Sequence, residues 1–397
     1  MSTEQARRQF LRFLAGSPLL AQALAQDPLL PKTAKDVLGV MELEPLAKAA
    51  LPPAHWGYLS SGVDDDKTLR ANREGFDHYQ LRARRLVDVA TADLKTEVFG
   101  ETWQMPFYLS AVGSQRAFHA DGETAAARAA KAKATAMLLS TQTSVAVEDI
   151  AKTLGQAPWY QLYMPVRWEE TERMVRRVEQ AGCSVLAWTI DLLAGRNAES
   201  SLKAMRLDTR ECTSCHAVSP RGVGTGVNNL TKPMWKGLSG EMNPSGSTWA
   251  TVDRLRKLTK MKVMLKGIDT PEDAKMAKEA GVDGIVVSNH GGRSTETGRA
   301  TIDILPEVID AVGAGYPVFV DGGFRRGTDI YKALALGARG VGIGRGYIYG
   351  LAAFGQEGVE RVIDILRAEL ALTMRQCGTP SIKQITRAAV LRNGARL

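Results

Sequence analysis

From Met105 onward, short runs of β-branched and aromatic residues alternate with longer stretches whose apolar side chains recur every three or four positions. Strands are expected near Phe107–Leu109, Ala136–Leu139, Trp159–Leu162, Val185–Thr189, Val263–Lys266, Gly284–Ser288, Val318–Asp321 and Gly340–Gly344. Between them the pattern predicts helices such as Gly122–Ala134, Trp168–Ala181, Pro271–Ala280 and Gly327–Leu336, each ending at or just before a glycine or small residue. About eight strands alternating with helices is what a closed parallel barrel needs, so the expected fold is α/β, a (β/α)8 TIM barrel. A doubly wound open sheet would want its phosphate-binding glycines at the first strand-to-helix turn. Here the glycine turns follow the last strands.

Outside that rhythm the chain divides as 1–25, 26–85, 86–385 and 386–397, the third part being the barrel and the last a C-terminal tail. In 26–85 a short helix is expected over Glu44–Ala50, with Pro45 tolerated in its first turn and Pro52-Pro53 stopping it. The stretch 198–247 is long, polar and rich in glycine, and is expected to be a loop excursion over the rim between the fourth and fifth strands.

The chemistry gathers where apolar runs break into polar residues. Ile285-Val286-Val287 gives way to Ser288-Asn289-His290-Gly291-Gly292-Arg293, the sequence of a barrel strand's carboxyl end. His290 can move a proton near neutral pH, and Arg293 can grip a carboxylate with two parallel hydrogen bonds. The same break recurs at Val318-Phe319-Val320-Asp321-Gly322-Gly323-Phe324-Arg325 and at Gly340-Val341-Gly342-Ile343-Gly344-Arg345. Backbone N–H groups at such glycine turns, with Arg325 and Arg345 nearby, suit a phosphate. Ser140, Gln161 with Tyr163, Thr189 with Asp191, and Lys266 end the second to fifth strands. A lysine following Val263-Met264-Leu265 on a barrel strand points at something charged.

Ser288-Asn289-His290-Gly291-Gly292-Arg293, Asp321-Gly322-Gly323-Phe324-Arg325-Arg326-Gly327 and Ala333-Leu334-Ala335-Leu336-Gly337-Ala338 resemble the FMN-dependent L-2-hydroxy acid oxidising family, which includes glycolate oxidase, lactate oxidase, mandelate dehydrogenase and flavocytochrome lactate dehydrogenases. The resemblance runs from about Leu51 to Ile385. It implies FMN bound through Ser140, Gln161, Thr189, Lys266, Ser288 and Asp321, with the phosphate against the backbone of Gly323, Gly344 and Arg345 and Arg325 as its counter-charge. It implies that Arg293 and Tyr58 hold the substrate carboxylate and Tyr163 its hydroxyl, that His290 takes the proton, and that Asp191 orients His290. It also implies a segment packed across the barrel mouth by 26–85, an electron acceptor that is oxygen, a quinone or a cytochrome, and a homotetramer. No metal is assigned.

Three positions depart from the family pattern. Its loop arginine falls on Ala198, so either Arg196 replaces it from two residues earlier or that charge is absent. Its Pro-x-Ala turn reads Ala111-Val112-Gly113, and an aromatic after the second strand reads Gln142, which implies a larger or more polar pocket. Two other readings stay open: a flavin-binding redox or electron-transfer protein with lost or altered turnover, and an FMN barrel isomerase.

The chain has 397 residues, 44% of them hydrophobic, enough for one barrel-sized core, and a net charge of +8 without the basic tract that marks a nucleic-acid arm. No nucleic-acid partner is expected. Arg7-Arg8-Gln9-Phe10-Leu11-Arg12, an apolar run and Ala23-Leu24-Ala25 resemble a twin-arginine signal, which implies a periplasmic protein; an N-terminal amphipathic helix on a cytoplasmic protein is the alternative. Cys212-Thr213-Ser214-Cys215-His216 has the spacing of c-type haem attachment, and a disulfide or a metal site are its other readings. Cys183 and Cys377 read as buried helix residues.

Overall fold

A computed structural model describes residues 30–210 and 232–394. The twin-arginine-like start with its Ala23-Leu24-Ala25 site and the Cys212, Cys215, His216 motif lie outside the described residues.

Eight parallel strands close into the expected barrel: β1 Phe107–Leu109, β2 Ala136–Ser140, β3 Trp159–Leu162, β4 Val185–Thr189, β5 Lys262–Ile268, β6 Gly284–Val287, β7 Val318–Asp321 and β8 Gly340–Ile343, with β8 pairing β1. β5 runs longer than its apolar stretch because an irregularity between Lys266 and Ile268 carries Gly267 through a left-handed conformation, φ 109°. A Cβ there would meet the Asp191 Cβ at 2.6 Å, so glycine is what lets the two strand ends close up.

Side chains alternate across each strand, and this alternation sorts the barrel interior into two layers. Leu138, Trp159, Ala187, Met264, Val286 and Phe319 belong to one inner apolar cluster near the amino end. Two residues on from each stand Ser140, Gln161, Thr189, Lys266, Ser288 and Asp321, all buried and all polar. The lower layer is closed from below by the antiparallel pair Thr96–Val98 and Glu101–Trp103, whose Trp103 ring lies 4.9 Å from that of Trp159. The outward faces pack in a separate, larger core under helices such as α1 Gly122–Ala132 and α2 Arg345–Gln376, the latter two helical pieces joined at a kink at Phe354 and Gly355.

The 26–85 segment holds three short helices, Leu43–Ala50, Pro53–Ser60 and Lys67–Glu74. Asn72 on the third exchanges two hydrogen bonds with Asn289, at 2.9 and 3.0 Å, and Glu296 accepts from the backbone N–H groups of Lys67 and Thr68. The segment is thereby fixed to the turn after β6. Val390–Arg392 in the tail pairs antiparallel with Tyr79–Leu81.

Two expectations need correction. The 198–247 excursion is not wholly irregular: Glu199–Met205 is a helix, with Ala204 packed so closely on Gly57 that a Cβ at Gly57 would come within 2.3 Å of it. Its apolar positions are too few for a helical period to stand out in a polar stretch. Cys183 and Cys377 are buried with free thiols, yet neither lies inside a helix; Cys183 follows the turn before β4 and Cys377 caps the end of α2. No helix among the described residues is long and apolar enough to cross a membrane, and no cluster of metal-ligating side chains occurs among them.

Candidate active site

The upper polar layer opens into a cleft at the carboxyl ends of the strands, lined by Tyr58, Arg293, Gly323, Arg325 and Gly344 among others. Its centre is a three-residue chain. The Tyr163 hydroxyl lies 3.0 Å from His290 Nε2, and the Asp191 carboxylate lies 2.9 Å from His290 Nδ1. β3, β4 and β6 each deliver one member just past the strand end. The sharp turn that presents His290 needs φ 58° at a residue with a side chain, a left-handed conformation that L residues adopt at some cost.

Burial dominates the titration of this group. Together with the charges of Lys266 and Arg196, it pushes the His290 imidazolium down from its ordinary value against the raising effect of Asp191. Burial acts against the Asp191 carboxylate too, but the charge and hydrogen bond of His290, with Lys266 and Arg196, outweigh it and hold that pKa low. Burial raises Tyr163, which stays a phenol. The consistent state is an ionised Asp191 accepting from Nδ1–H and a neutral His290 whose Nε2 lone pair faces the phenol. That is a general base in waiting.

Below it, Lys266 Nζ donates to Ser288 Oγ at 2.8 Å and pairs with Asp321 at 3.1 Å, while Ser288 Oγ donates to Asp321 at 2.6 Å. Burial disfavours the Lys266 charge, but Asp321 and Asp191 outweigh it, so the ammonium stays protonated. Ser140, Gln161 and Thr189 form a row across three adjacent strands, Ser140 Oγ to Gln161 Oε1 and Gln161 Nε2 to Thr189 Oγ1, each 2.9 Å. Sequence reasoning singled out all of these, and the fold brings them onto one floor.

Arg293 lies with its guanidinium 4.7 Å from the centre of the Tyr58 ring and donates to the Tyr58 and Ser61 carbonyls at 2.5 and 2.9 Å. Burial, with Arg196 beside it, lowers its proton affinity; an arriving carboxylate would relieve that cost. The Arg345 side chain turns away from the expected phosphate position. Its guanidinium donates to the carbonyls of Leu59, Gly291 and Ser61, at 2.7, 2.8 and 2.8 Å, so three of its five N–H donors staple the end of the Pro53–Ser60 helix. What remains for an anion there is backbone: Gly344 and Arg345 begin the long helix α2, whose first N–H groups are free of helical partners. Arg325 is buried beside them, and its Nε has no partner.

Ala198 carries no charge and caps the Glu199–Met205 helix, but Arg196 Nη1 lies 3.4 Å from the Arg293 carbonyl, and its field reaches Asp191, His290 and Tyr163. Of the two alternatives, a cation at the mouth is the one found. Asn72 and Asn289 were missed. Asn72 holds the turns after β6 and β7 together: its carbonyl oxygen would lie 2.1 Å from a Cβ at Gly323, and its side chain accepts from Thr301 N–H at 3.1 Å. A polar residue on the inner face of a helix was the available signal.

The sequence of residues 47–392 matches the model of the family described as FMN-dependent dehydrogenase. The chain belongs to the FMN-dependent dehydrogenase family. It is 38% identical to a peroxisomal (S)-2-hydroxyacid oxidase of Arabidopsis thaliana over 91% of this chain and 98% of that protein. It is 37% identical to glycolate oxidase 1 of Zea mays, again over 91% and 98%. A soluble mutant of the membrane-associated (S)-mandelate dehydrogenase of Pseudomonas putida has the same fold, with a TM-score of 0.79 at 31% identity over 90% of this chain and all of that one. This FMN-dependent dehydrogenase is thus an oxidoreductase acting on the CH–OH group of hydroxy acids. The cleft fits FMN on its own evidence: a row of amide and hydroxyl groups for a polar ring edge, and at the far end an unpartnered buried guanidinium nitrogen beside a helix N-terminus for a phosphate.

Proposed function

We propose that the chain oxidises an L-2-hydroxy acid of about the size of lactate to the 2-oxo acid, with reduced flavin reoxidised by oxygen or by a quinone or cytochrome. The observation that carries the reading is a neutral His290 held between the Asp191 carboxylate and the Tyr163 hydroxyl beside a buried Arg293. Arg293 and the Tyr58 hydroxyl hold the carboxylate, Tyr163 meets the 2-hydroxyl, and His290 Nε2 takes the hydroxyl proton while Asp191 stabilises the imidazolium. FMN, when bound, would accept the two electrons released from C2, as a hydride or by way of a carbanion. Ser140, Gln161 and Thr189 would hold the ring's polar edge, Lys266 with Ser288 and Asp321 would supply a fixed cation beside it, and Gly323, Arg325, Gly344 and the Arg345 backbone would hold the phosphate. The relatives act on glycolate, mandelate and other 2-hydroxy acids by their names, which supports the class and leaves the side chain to this chain's own pocket.

The test is anaerobic absorbance of the flavin-loaded protein before and after adding glycolate, L-lactate, L-mandelate and longer acids. One of them bleaches the flavin band, and His290→Gln keeps the band but abolishes the bleaching. Normal reduction in that variant would overturn the assignment. Export is part of the same proposal, motivated by Arg7-Arg8 and Ala23-Leu24-Ala25; recovery of the full chain, uncleaved, only from the cytosol would reject it.

A further inference from the structure

Gln142 stands in the turn after β2 and lines the cleft together with Tyr58, Tyr163 and Arg293. The turn is fixed from both sides. Thr141 Oγ1 donates to the Gln161 carbonyl at 2.6 Å and accepts from Tyr163 N–H at 2.9 Å, which sets Gln142 beside the tyrosine that touches His290. On the other flank, Gly113 has no side chain because the Gln142 Cβ would be only 2.6 Å from one. The 198–247 excursion returns here, bridging Pro165 to Met242, and lays the Met242 thioether against the amide.

The side chain is 4% exposed, and its two ends are unequal. Nε2 reaches only Met242 Sδ, at 3.1 Å, and Oε1 has no partner at all. A thioether is a weak acceptor and cannot donate, so the NH2 group belongs on the sulfur and the carbonyl oxygen is the free end. A buried amide oxygen left without a donor is costly, and one lining a ligand cleft is met by the ligand. The matching group is a hydrogen-bond donor. Arg293 and Arg196 put positive charge across the same mouth, which repels an ammonium and leaves a neutral hydroxyl.

Resting on the hydroxy acid reading above, we infer that the substrate carries a second hydroxyl beyond C2, a 2,3-dihydroxy acid of the glycerate type, and that Gln142 is the residue that selects it. The oxidation at C2 is the one proposed above, with His290 as the base, and the C3 hydroxyl is recognised without reacting.

The experiment compares L-glycerate with L-2-hydroxybutyrate, which replaces that hydroxyl by a methyl group of similar size, and with L-isoserine, which replaces it by an ammonium. In the flavin-loaded wild type, kcat/KM is expected to favour L-glycerate over L-2-hydroxybutyrate on the order of 10-fold, with L-isoserine below both. In Gln142→Leu the preference collapses to about 1 or inverts. Because each ratio is taken within one protein, a partial loss of folded enzyme does not move it, and Gln142→Met, which keeps the chain length, repeats the comparison should the leucine variant not retain flavin. Equal use of the two acids by the wild type, a ratio unmoved by either variant, or a preference for L-isoserine overturns the inference while the hydroxy acid reading stands. Failure of every acid in the wider panel to bleach the flavin overturns that reading and this inference with it.

Discussion

The two layers of the barrel interior are made by the same strands, two residues apart, and they do opposite things. The lower layer, with Trp159, Phe319 and Met264, is apolar and closed by Trp103; burying such side chains stabilises the fold by roughly 2–3 kcal/mol each. The upper layer, with Gln161, Asp321 and Lys266, buries amides, hydroxyls and charges, which are stable only because each finds a partner. A barrel enzyme therefore separates the part that holds it together from the part that reacts by a single step of the strand period. Damage to one layer should be legible as stability, damage to the other as rate.

That separation can be broken at defined places. Asp191→Asn should lower the rate constant of flavin reduction by about 10³-fold, because a neutral amide neither fixes the His290 tautomer nor stabilises its charged form; melting of the variant should stay near the wild type. Rapid-mixing absorbance and thermal melts check both halves of that statement. Trp159→Ala, in the layer below, should cost about 4 kcal/mol of stability, yet leave the reduction rate per bound flavin as it was; a slowed rate at full flavin occupancy would mean that the layers are coupled. Lys266→Met leaves Asp321 with Ser288 and Ser110 as its polar partners and should cost about 3 kcal/mol. It should also weaken flavin retention, which gel filtration followed by absorbance would reveal.

The smallest effect is in the pH dependence, and its sign follows from burial. His290 must be neutral to accept the proton, and its pKa lies below the ordinary 6.5. The rate of flavin reduction should be flat through neutral pH and fall only on acidification through that lowered value. The same shift means that the unfolded chain binds its proton first as pH drops below 6.5, so His290 removes stability over that window. An inflection above 6.5 would show that Asp191 wins over burial.

The strands and the groups that end them were readable in the sequence because a barrel strand is an apolar run with an abrupt stop, and Asp321-Gly322-Gly323 or Ser288-Asn289-His290 shows that stop plainly. What was not readable depended on where long side chains turn. Nothing local distinguishes an Arg345 that reaches a phosphate from one that donates to three carbonyls 54 and more residues away in sequence. The role of Asn72 was hidden likewise, since its partners Asn289 and Thr301 come from another part of the chain. Gln142 stood out only as a polar residue at an expected aromatic position, and the free end of its amide is a property of the packing by Met242.

The excursion between β4 and β5 is fastened on both sides of 211–231. Before it, Asp208 accepts from Ala54 N–H at the start of the Pro53–Ser60 helix; after it, Met242 bridges to Pro165 and Asn243 N–H donates to the Met164 carbonyl at 2.8 Å. Both fastenings end on residues that frame the cleft, since the Pro53–Ser60 helix carries Tyr58 and Met242 packs on the Gln142 amide, so loosening either one should change which acid the site accepts before it changes how firmly the barrel holds.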